Sequence, residues 1–526
     1  MQQSVWQQSG KASHSAGKFG KLTENLRVDV VIVGGGVTGI TAAYLIKNAG
    51  LTVALLERWR CLDGDSGRTT AHLTCVMDWP LGELVDEVGA DLAQGAWQAG
   101  ATAIDQIEEI VKKRKIACEF KRVPGYLTGS IARDQGIADY QDVARELEVI
   151  QREVDLNKAL GFDAKFVKKA PVYGKPAMRI ANQAKFHPVK YLGALLKEID
   201  GNGSHVFEES EVTEFSESPL GVVANEKRVT CNYMVLATHS PIKGNADILS
   251  AALFQTRRVA YSTYVVGARI PHGAAPEALF WDLSDPYYYL RVDAGGEDGH
   301  DYAILGGMDH KTGQKEETEE QFKKLEEMMH RLFKGKGGAK VDKRWSGQVN
   351  ETGDGLPLIG EVAEKQFIAT GYAGNGMTFG TVAGMMALDA VLGQKNEWTE
   401  IFALNRVKLK GVMDYVKENI DYPFYMIKDR LMGTDKEGVE SVKLGDGAIA
   451  NVNGNQVAVY RDQRGNVTVL NPTCTHMGCV VHWNQTEKTW DCPCHGSRFK
   501  PTGEVLNGPA EVRLEKLTIL GQPVGK

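Results

Sequence analysis

The chain has 526 residues and a formal net charge of −6, a length that typically corresponds to about three domains. Its apolar fraction of 43% and charged fraction of 24% are ordinary for a globular protein with a large core. The slight acidity and the lack of a long basic run argue against nucleic acid or an anionic membrane surface as a partner.

Targeting and membrane segments are not predicted. Residues 1–27 are polar and lack both the apolar core of a secretory signal and a twin arginine. The longest apolar stretch, residues 30–46, contains four glycines and is short for a membrane span. We therefore expect no transmembrane segment and a cytoplasmic location.

The first predicted elements lie in "VDVVIVGGGVTGITAAYLIKNAGLTVALLER", residues 28–58. An apolar run at 28–33 predicts a strand, and residues 40–48 have helical spacing. Gly50 fits the position that ends a helix, and residues 51–56 predict a second strand. Together they predict a strand–turn–helix–strand unit.

The middle of the chain alternates between helical and strand patterns. Residues 83–115 and 136–160 look helical, and residues 255–308 contain short alternations typical of strands. Residues 315–334 predict an amphipathic helix that faces the core. Its apolar stripe is Phe322, Leu325, Met329 and Phe333.

The last third of the chain begins with another strand, glycine turn and helix, at residues 367–393. Residues 395–435 predict terminal helices and a connector. From about residue 436, short strands separated by "GDG", "NGN" and "DQRGN" predict a separate small β domain.

The glycines after the first strand have the spacing G-x-G-x-x-G, at Gly34, Gly36 and Gly39. The first permits a tight turn, the second a close approach to a pyrophosphate, and the third close packing of helix and strand. The following helix N-terminus favours phosphate binding, and Glu57 is placed to accept from ribose hydroxyls. The whole pattern predicts a dinucleotide site.

The second glycine unit favours FAD over NAD. Gly371, Gly374 and Gly376 let the chain pass close to a ligand, ahead of a helix near Met377. A helix N-terminus aimed at the flavin pyrimidine ring stabilises the negative charge of the reduced ring. The alternative is a glycine-rich turn needed only for packing.

Six stretches of residues 28–393 carry a family resemblance: "VIVGGGVTGITAAYLI", "GDSGRTTAH", "VLATHSP", "YYYLR" with "ILGGM", "DGLPLIG" and "GYAGNGMTFGTVAG". Through them these residues resemble the D-amino-acid oxidase/glycine oxidase superfamily of FAD-dependent oxidoreductases. Some members of that superfamily bind flavin covalently through His or Cys, but the spacing of His72 and Cys75 matches no such motif, so non-covalent FAD is the expectation.

Site residues follow from this resemblance. Arg291 matches the position that holds a substrate carboxylate in amino-acid oxidases, although a surface arginine in a sheet is an equal alternative. Tyr288 and Arg291 are the predicted substrate-placing residues. The resemblance puts Arg68, Thr69 and Thr70 beside the flavin and its phosphates, Val212 against the adenine, and Gly376, Met377 and Thr378 at the pyrimidine end.

Four of the eight cysteines lie in "CTHMGCVVHWNQTEKTWDCPCHGS", residues 474–497. Structural zinc usually shows C-x₂-C pairs, which are missing from the proposed ligand set. C-x-H at 474–476 and C-x-x-H at 492–495 supply one thiolate and one imidazole from each of two loops, as a Rieske [2Fe–2S] cluster requires. The predicted metal ligands are Cys474, His476, Cys492 and His495.

Cys479 and Cys494 either bridge these two loops as a disulfide or remain two buried thiols. The boxes "CTHMGC" and "CPCHGS" resemble the Rieske fold of the cytochrome bc₁/b₆f type, which carries the additional cysteine pair. By that resemblance Ser497 hydrogen-bonds a bridging sulfide. Phe499 replaces a hydrogen-bonding tyrosine of high-potential members, which lowers the expected reduction potential.

The expected fold class is α/β plus β: a Rossmann-like FAD-binding domain with an inserted antiparallel-sheet substrate domain, then an all-β Rieske domain. The predicted boundaries are an extension at 1–27, an oxidoreductase module at 28–410, a connector at 411–435 and the Rieske domain at 436–526. Within the module, the FAD-binding parts are about 28–80, 185–245 and 345–410, and the substrate parts about 81–184 and 246–344.

The two cofactors together predict a dehydrogenase. It oxidises the C–N bond of an amine or amino acid and passes electrons singly from FAD to the cluster. The external partner is a one-electron protein such as ferredoxin or a cytochrome, or a quinone. The alternatives are a flavin reductase-type enzyme with electrons entering through the cluster, and a non-catalytic electron carrier or redox sensor.

Overall fold

A computed structural model describes residues 3–9, 19–132, 143–240, 258–296, 299–315, 318–406 and 436–518. Every helix in these ranges is too short or too polar to serve as a membrane span. The helices are Val5–Ser9, Val37–Asn48, Leu81–Val88, Ala90–Arg114, Val143–Ala159, Pro188–Ile199, Thr318–Phe333 and Gly376–Val391.

A six-stranded sheet forms the nucleotide-binding part of the fold. Five strands are parallel and one edge strand, Leu358–Ala363, is antiparallel. The central strands are apolar along their whole length because both faces are covered, one by helices and the other by a small four-stranded sheet. In spatial order the strands are Leu358–Ala363, Gln366–Thr370, Tyr233–Leu236, Val30–Val33, Val53–Leu56 and His205–Phe207.

Helix Val37–Asn48 begins at the turn that follows the parallel strand Val30–Val33. Val37–Asn48 packs against both Pro188–Ile199 and Gly376–Val391. The turn therefore lies at the carboxyl edge of the parallel strands, where ligands bind in open α/β sheets. A small four-stranded sheet lies on the same unit, in the order Leu26–Arg27, Lys227–Thr230, Leu220–Ala224 and Val212–Glu217.

A nine-stranded mixed sheet forms the substrate part. One face packs on helix Thr318–Phe333, and the other faces the nucleotide-binding part. In spatial order the strands are Lys340–Thr352, Arg258–Pro271, His300–Lys311, Tyr289–Asp293, Leu279–Asp282, Lys121–Thr128, Ala177–Lys185 and His72–Leu73, with Ala164–Val167 paired to Ala177–Lys185.

Two small sheets build the C-terminal domain, and its core contains Trp490, Phe499 and four cysteines. The short strands with turn signals predicted from about residue 436 match this all-β architecture. The first sheet is Lys436–Glu437, Asp446–Val452, Asn455–Arg461, Val467–Leu470 and Lys516–Leu517, and the second is His482–Asn484, Thr489–Asp491, Arg498–Phe499 and Val505–Asn507.

The predicted fold class is confirmed, and most helices lie where the sequence places them. The apolar stripe of Thr318–Phe333 is fully buried, as predicted. The helix predicted at 83–115 is divided in two at Gly89, whose φ of +94° no helical residue adopts. The residues ahead of Val143, at 136–142, lie outside the described part of the chain.

Two features differ from the sequence interpretation. Residues 395–406 form turns and no helix, and the rest of the predicted terminal helices and connector lie outside the described residues. The boundary predicted near residue 345 falls inside the continuous strand Lys340–Thr352. The domain boundaries therefore stay predictions.

Candidate active site and metal centre

The glycine turn of the parallel sheet is packed too tightly for side chains. Gly34 has a φ of +113°, and a Cβ there would lie 2.3 Å from the carbonyl oxygen of Ala237. A Cβ on Gly39 would lie 1.9 Å from the carbonyl oxygen of Gly34. Both distances are far below van der Waals contact, so the turn presents backbone and not side chains to its surroundings.

The N-terminus of helix Val37–Asn48 opens onto a cavity lined by Gly36, Val37 and Thr38. The first N–H groups of a helix have no partner inside the helix, and the helix dipole makes this end positive. One of these groups, the Val37 N–H, donates to Ser66 Oγ at 3.0 Å. The arrangement suits an anionic ligand such as a pyrophosphate.

Glu57 follows the second parallel strand, as the sequence predicts. Its Oε2 accepts a hydrogen bond from the Gly35 N–H at 2.7 Å, and its Oε1 accepts from the Trp59 N–H at 2.8 Å. Burial raises the pKa of Glu57 in spite of these bonds. The carboxylate thus ties the strand end to the glycine turn, and its binding to ribose hydroxyls stays a prediction.

Arg68, Thr69 and Thr70 all line the same cavity, on the loop after the short 3₁₀ turn Asp65–Gly67. Thr69 Oγ1 accepts from the Ala71 N–H at 2.9 Å, which fixes the loop conformation. The predicted flavin-contacting segment therefore lines the same cavity as the glycine turn.

The second glycine unit brings another helix N-terminus to the cavity. Gly376 and Met377 line the cavity, and a Cβ on Gly376 would meet no atom within 4 Å. Thr378, also predicted to face the flavin, is buried behind them, where its Oγ1 accepts from the Thr74 N–H at 3.3 Å.

The cavity joins the two helix N-termini and contains about 1190 Å³ not filled by protein atoms, part of it open to solvent. One wall, which we call the nucleotide side, consists of the glycine turn and the two helix N-termini. We call the other wall, formed by the large sheet and its loops, the sheet wall. Backbone-lined turns and two positive helix ends fit a flavin dinucleotide. The sheet wall includes Thr263, Val265, Trp281, Tyr287, Tyr289, Asp309 and Gln348, together with Asp78, where this wall meets the second glycine unit.

Two similar turns form the candidate metal centre. The Gly478 N–H donates to the carbonyl of Cys474, and the Gly496 N–H donates to the carbonyl of Cys492, each at 3.0 Å. Both glycines have positive φ, +81° and +71°, which closes the turns. The Cys479–Cys494 disulfide joins the two turns, with 6.5 Å between the Cα atoms.

The four predicted metal ligands come together at the tips of these turns. The thiols of Cys474 and Cys492 hydrogen-bond each other, and the ring centroids of His476 and His495 are 4.8 Å apart. Two thiols and two imidazoles, one of each from each turn, fit a Rieske cluster. The sulfur atoms of Cys479, Cys492 and Cys494 also lie within 4.8 Å of one another, but the disulfide removes two of these as ligands.

Ser497 lies beside the metal centre, as the sequence predicts. Its hydroxyl contacts the Cys474 thiol and accepts a hydrogen bond from the Ala510 N–H at 2.9 Å. Phe499 is fully buried in the domain core. Its ring supplies no hydrogen-bond donor to the centre, so the lower reduction potential inferred for a Phe at this position stays a prediction.

The model of the FAD dependent oxidoreductase family matches residues 29–390. The chain belongs to this family. A second model, of the Rieske [2Fe-2S] domain, matches residues 437–518. The protein is therefore an oxidoreductase whose cofactors are FAD in the first domain and a [2Fe–2S] cluster in the second.

Three known proteins are similar to this chain to different degrees. The putative Rieske 2Fe-2S iron-sulfur protein YhfW of Bacillus subtilis (strain 168) is 31% identical over 517 residues, 97% of each chain. The gamma-glutamylputrescine oxidoreductase of Escherichia coli (strain K12) is 23% identical over 428 residues, 78% of this chain and 95% of that one. Glycine oxidase from Geobacillus kaustophilus matches 73% of this chain and all of its own, with a TM-score of 0.57 and 18% identity, which shows the fold alone.

Arg291 does not line the cavity of this oxidoreductase, contrary to the sequence interpretation. Its side chain is 1% exposed, its Nε donates to Asp293 Oδ1 at 2.9 Å, and the Trp6 ring lies 4.8 Å from its guanidinium carbon. Its Nη1 donates to three backbone carbonyls, so protein groups already engage the guanidinium. These carbonyls belong to Thr70, Ala71 and Phe186.

Tyr288 also lies away from the cavity, because side chains alternate between the two faces of a strand. With Leu290 it packs into the core beneath helix Thr318–Phe333, and its hydroxyl donates to the sulfur of Met308 at 3.3 Å. Its neighbours Tyr287 and Tyr289 line the cavity instead. The alternation of "YYYLR" could have indicated this difference of faces.

Val212 begins the edge strand of the small four-stranded sheet and is partly buried. It is not part of the cavity lining, so its contact with adenine stays a prediction. Sequence reasoning missed Asp78 and Asp309, which do line the cavity and belong to no motif. The acidic character of the sheet wall is visible only in the structure.

The Rieske domain packs directly against the oxidoreductase module near the cavity. Gln348 Nε2 donates to the carbonyl of Gly496 at 2.8 Å, and Asn507 Nδ2 donates to Asp65 Oδ2 at 3.2 Å. Gln348 and Asp65 both line the cavity. The Rieske domain therefore contacts residues that line the cavity, a feature that sequence reasoning missed.

A buried ion pair crosses this interface. Arg68 Nη1 lies 3.0 Å from Glu487 Oε2, with the two side chains 8% and 1% exposed, and it also donates to the Ser346 carbonyl at 3.3 Å. A buried charge that loses its partner is strongly destabilising. Since Arg68 lies in the predicted flavin-contacting loop, the Rieske domain helps to hold that loop.

Glu487→Gln is expected to lower the midpoint temperature of flavin release from the holoprotein. The substitution removes the carboxylate charge that pairs with the buried Arg68 guanidinium, and breaking a buried ion pair costs about 3–5 kcal/mol. Flavin fluorescence during heating measures the release. Glu511→Gln, at an exposed carboxylate of the same domain, should leave the midpoint unchanged. Equal midpoints for the two variants would contradict the role of the ion pair.

Proposed function

We propose that the protein is an FAD-dependent dehydrogenase that oxidises a C–N bond of an amine or amino acid and delivers the electrons singly, through its own Rieske cluster, to an external one-electron acceptor. The observation that carries this proposal is the docking of one cluster-binding turn against the wall of the flavin cavity. A fused domain in this position suits electron exchange within one chain.

Gln348 touches both the cavity and the cluster-binding turn. It lines the cavity, is 2% exposed, and bonds to the carbonyl of Gly496, the residue after the predicted ligand His495. The same Nε2 donates to Thr312 Oγ1 at 3.1 Å, and the backbone N–H of Gln348 donates to Asp65 Oδ1 at 2.9 Å. These bonds fix the side chain between the cavity and the turn.

The interface around this turn has no room for intervening side chains. A Cβ on Gly313 would lie 2.7 Å from the carbonyl carbon of Cys492, and a Cβ on Gly496 would lie 2.4 Å from the Cβ of Ala260. Backbone thus meets backbone at the predicted cluster ligand. This close contact supports a short path between the two cofactor sites.

FAD, when bound, accepts an electron pair from an organic substrate, and a Rieske cluster exchanges one electron at a time. The chain contributes positioning and exclusion of water. Trp281 and Tyr289 flank the His72 ring, with centroid distances of 5.8 and 5.9 Å, and form an aromatic part of the sheet wall. Oxidation of a neutral amine needs such positioning more than a dedicated base.

The relatives support chemistry at a C–N bond. One is named as a gamma-glutamylputrescine oxidoreductase, and solved structures with the same fold include a glycine oxidase. We extend this chemistry to the present chain as part of the proposal, since the similarity to the first of these proteins covers 78% of this chain and 95% of that one.

Anaerobic mixing with a panel of amines and amino acids tests the proposal. We expect a substrate to bleach the flavin absorbance first, after which the EPR signal of the reduced Rieske cluster appears. If reduced ferredoxin reduces the cluster and the flavin while no amine or amino acid reacts, electrons enter through the cluster and the proposal is wrong. A chain that reacts with neither donor would also contradict it.

Gln348→Leu is expected to slow reduction of the cluster roughly tenfold, equivalent to ~1.4 kcal/mol of activation free energy, because the contact with Gly496 is lost. Rapid-freeze EPR after anaerobic mixing measures this rate, and flavin absorbance measures the preceding step. Gln314→Leu is the matched control: Gln314 donates to the carbonyl of Pro493 at 3.2 Å but does not line the cavity. Equal slowing in both variants would contradict a specific role of Gln348.

A further inference from the structure

The sheet wall of the flavin cavity combines carboxylates with aromatic rings. Asp78 and Asp309 line the cavity together with Trp281, Tyr287 and Tyr289. The glycine turn and the helix N-termini lie on the nucleotide side, so this opposite wall is left for a substrate. Its chemistry therefore indicates which substrates fit.

Asp309 has an incompletely satisfied carboxylate. Within the described residues, its Oδ1 is buried and accepts no hydrogen bond. Burial raises the pKa of Asp309 to about 7, although a hydrogen bond from Thr263 opposes this shift. A buried oxygen with unused acceptor capacity favours a ligand that brings a donor or a positive charge.

Asp78 adds a second carboxylate close by. Its Oδ2 accepts from the Gly374 N–H at 2.7 Å, and the Tyr287 hydroxyl also donates to it. Burial nevertheless raises the pKa of Asp78, and its charge contributes to the raised pKa of Asp309. The two acidic groups therefore disfavour a further negative charge beside them.

The basic side chains in the described cavity lining are either paired with a carboxylate or neutral at pH 7. Arg68 is paired with Glu487. Burial lowers the pKa of His72 to about 3 and also lowers that of His239, so both rings are neutral at pH 7. Arg291, the predicted carboxylate ligand, lies outside the cavity lining.

We propose that the sheet wall selects cationic amines that carry no carboxylate on the reacting carbon. An ammonium gains attraction from Asp309 and Asp78 and from the aromatic rings of the same wall. The bound ammonium loses one proton, to the Asp309 carboxylate or to solvent, before the neutral amine is oxidised. A substrate carboxylate in the same place would meet two acidic groups and no available cation in the described lining. This inference rests on the proposed function and narrows its substrate class from amines and amino acids to amines.

A matched pair of dead-end ligands tests the inference on the holoprotein. tert-Butylammonium and 2-aminoisobutyrate have no hydrogen on the carbon next to nitrogen and differ by one methyl group replaced by carboxylate. Binding is measured by perturbation of the flavin spectrum, without turnover. We expect tert-butylammonium to bind at least roughly tenfold more tightly. Equal or tighter binding of 2-aminoisobutyrate would overturn the inference.

Asp309→Asn is expected to weaken tert-butylammonium binding by about tenfold while the flavin content is unchanged. Asp78→Asn should act in the same direction and serves as the second variant if the first does not fold. Asp342→Asn is the control, because Asp342 lies in the same sheet but pairs with Arg269 outside the cavity lining. Unchanged affinity in both cavity variants would overturn the role of the carboxylates.

The pH dependence gives an independent measurement. The titratable groups facing Asp309 are Asp78, Tyr264, Tyr287 and Tyr289. Burial raises the pKa of all three tyrosines well above 10, so they stay neutral. Protonation of Asp309 below about pH 7 removes its charge, so tert-butylammonium affinity should fall as the pH drops from 8 to 6. Asp309→Asn should flatten this dependence. A flat wild-type profile would contradict the assignment.

Failure of this inference is distinguishable from failure of the proposed function. Butylamine and norvaline differ only by a carboxylate on the reacting carbon, as do putrescine and ornithine. If the amino acids of these pairs reduce flavin and cluster and the amines do not, the function stands and the inference is wrong. If no amine or amino acid reduces the flavin, the proposed function itself is wrong.

Discussion

Replacing Gly39 by alanine is expected to give a protein that retains little FAD. The new Cβ would lie 1.9 Å from the Gly34 carbonyl oxygen and 3.3 Å from Ile32 Cγ2, atoms of a fully buried strand and its turn. Overpacking of this kind costs about 1–3 kcal/mol or more, and here it displaces the turn that faces the cofactor. Flavin absorbance per chain after purification should fall at least roughly tenfold.

Gly64→Ala is the matched control for this substitution. Gly64 has a φ of −79°, and a Cβ added there would meet no atom within 4 Å, so the flavin content of this variant should equal that of the wild type. The EPR signal of the reduced cluster reports whether the rest of the Gly39 variant is folded. A folded Gly39→Ala protein with full flavin content would contradict the role of this glycine.

The glycine turn was predictable because its requirements are local. Gly34, Gly36 and Gly39 lie within six residues, and the backbone geometry that needs them depends on one strand and one helix. The same holds for the two cluster turns, in which each cysteine is followed four residues later by a glycine with positive φ. Spacing along the chain is enough to recognise such units.

The substrate side was not predictable in this way. Tyr288 and Tyr289 are adjacent in the sequence but lie on opposite faces of the sheet, and only the register of the strand decides which one meets the cavity. Arg291 shares a face with Tyr289 but lies farther along the strand, under Trp6 of the N-terminal helix. Similarity to a family motif predicts that Arg291 lies in a strand. It does not predict which residues from the rest of the chain will surround its side chain.

The contact between the two domains is also beyond sequence reasoning. Arg68 and Glu487 are separated by 419 residues, and neither belongs to a motif that indicates the other. Gly313 resembles an ordinary turn glycine until the backbone of Cys492 is seen against it. These contacts form only where the two folded domains dock, so a local sequence pattern does not reveal them.

Cys492→Ser is expected to abolish the iron–sulfur cluster and leave FAD bound. A Rieske cluster needs a thiolate at this position, and a serine hydroxyl is a poor substitute for it. Cys492 is buried in the core of its domain and contacts Cys474, so no other described thiol outside the disulfide can replace it without moving the turn. Iron and acid-labile sulfide per chain, with EPR after dithionite reduction, measure the loss.

Cys231→Ser is the control, because Cys231 is a buried thiol in the core beside the parallel sheet and far in sequence from the cluster turns. It should keep full iron content. Zinc in the wild-type protein, or an unchanged cluster in the Cys492 variant, would contradict the assigned ligands. If the proposed function is right, an amine still bleaches the flavin of Cys492→Ser in a single turnover. Reduction of the external acceptor should stop, because the turn that contacts Gln348 then holds no cluster to pass the electrons on.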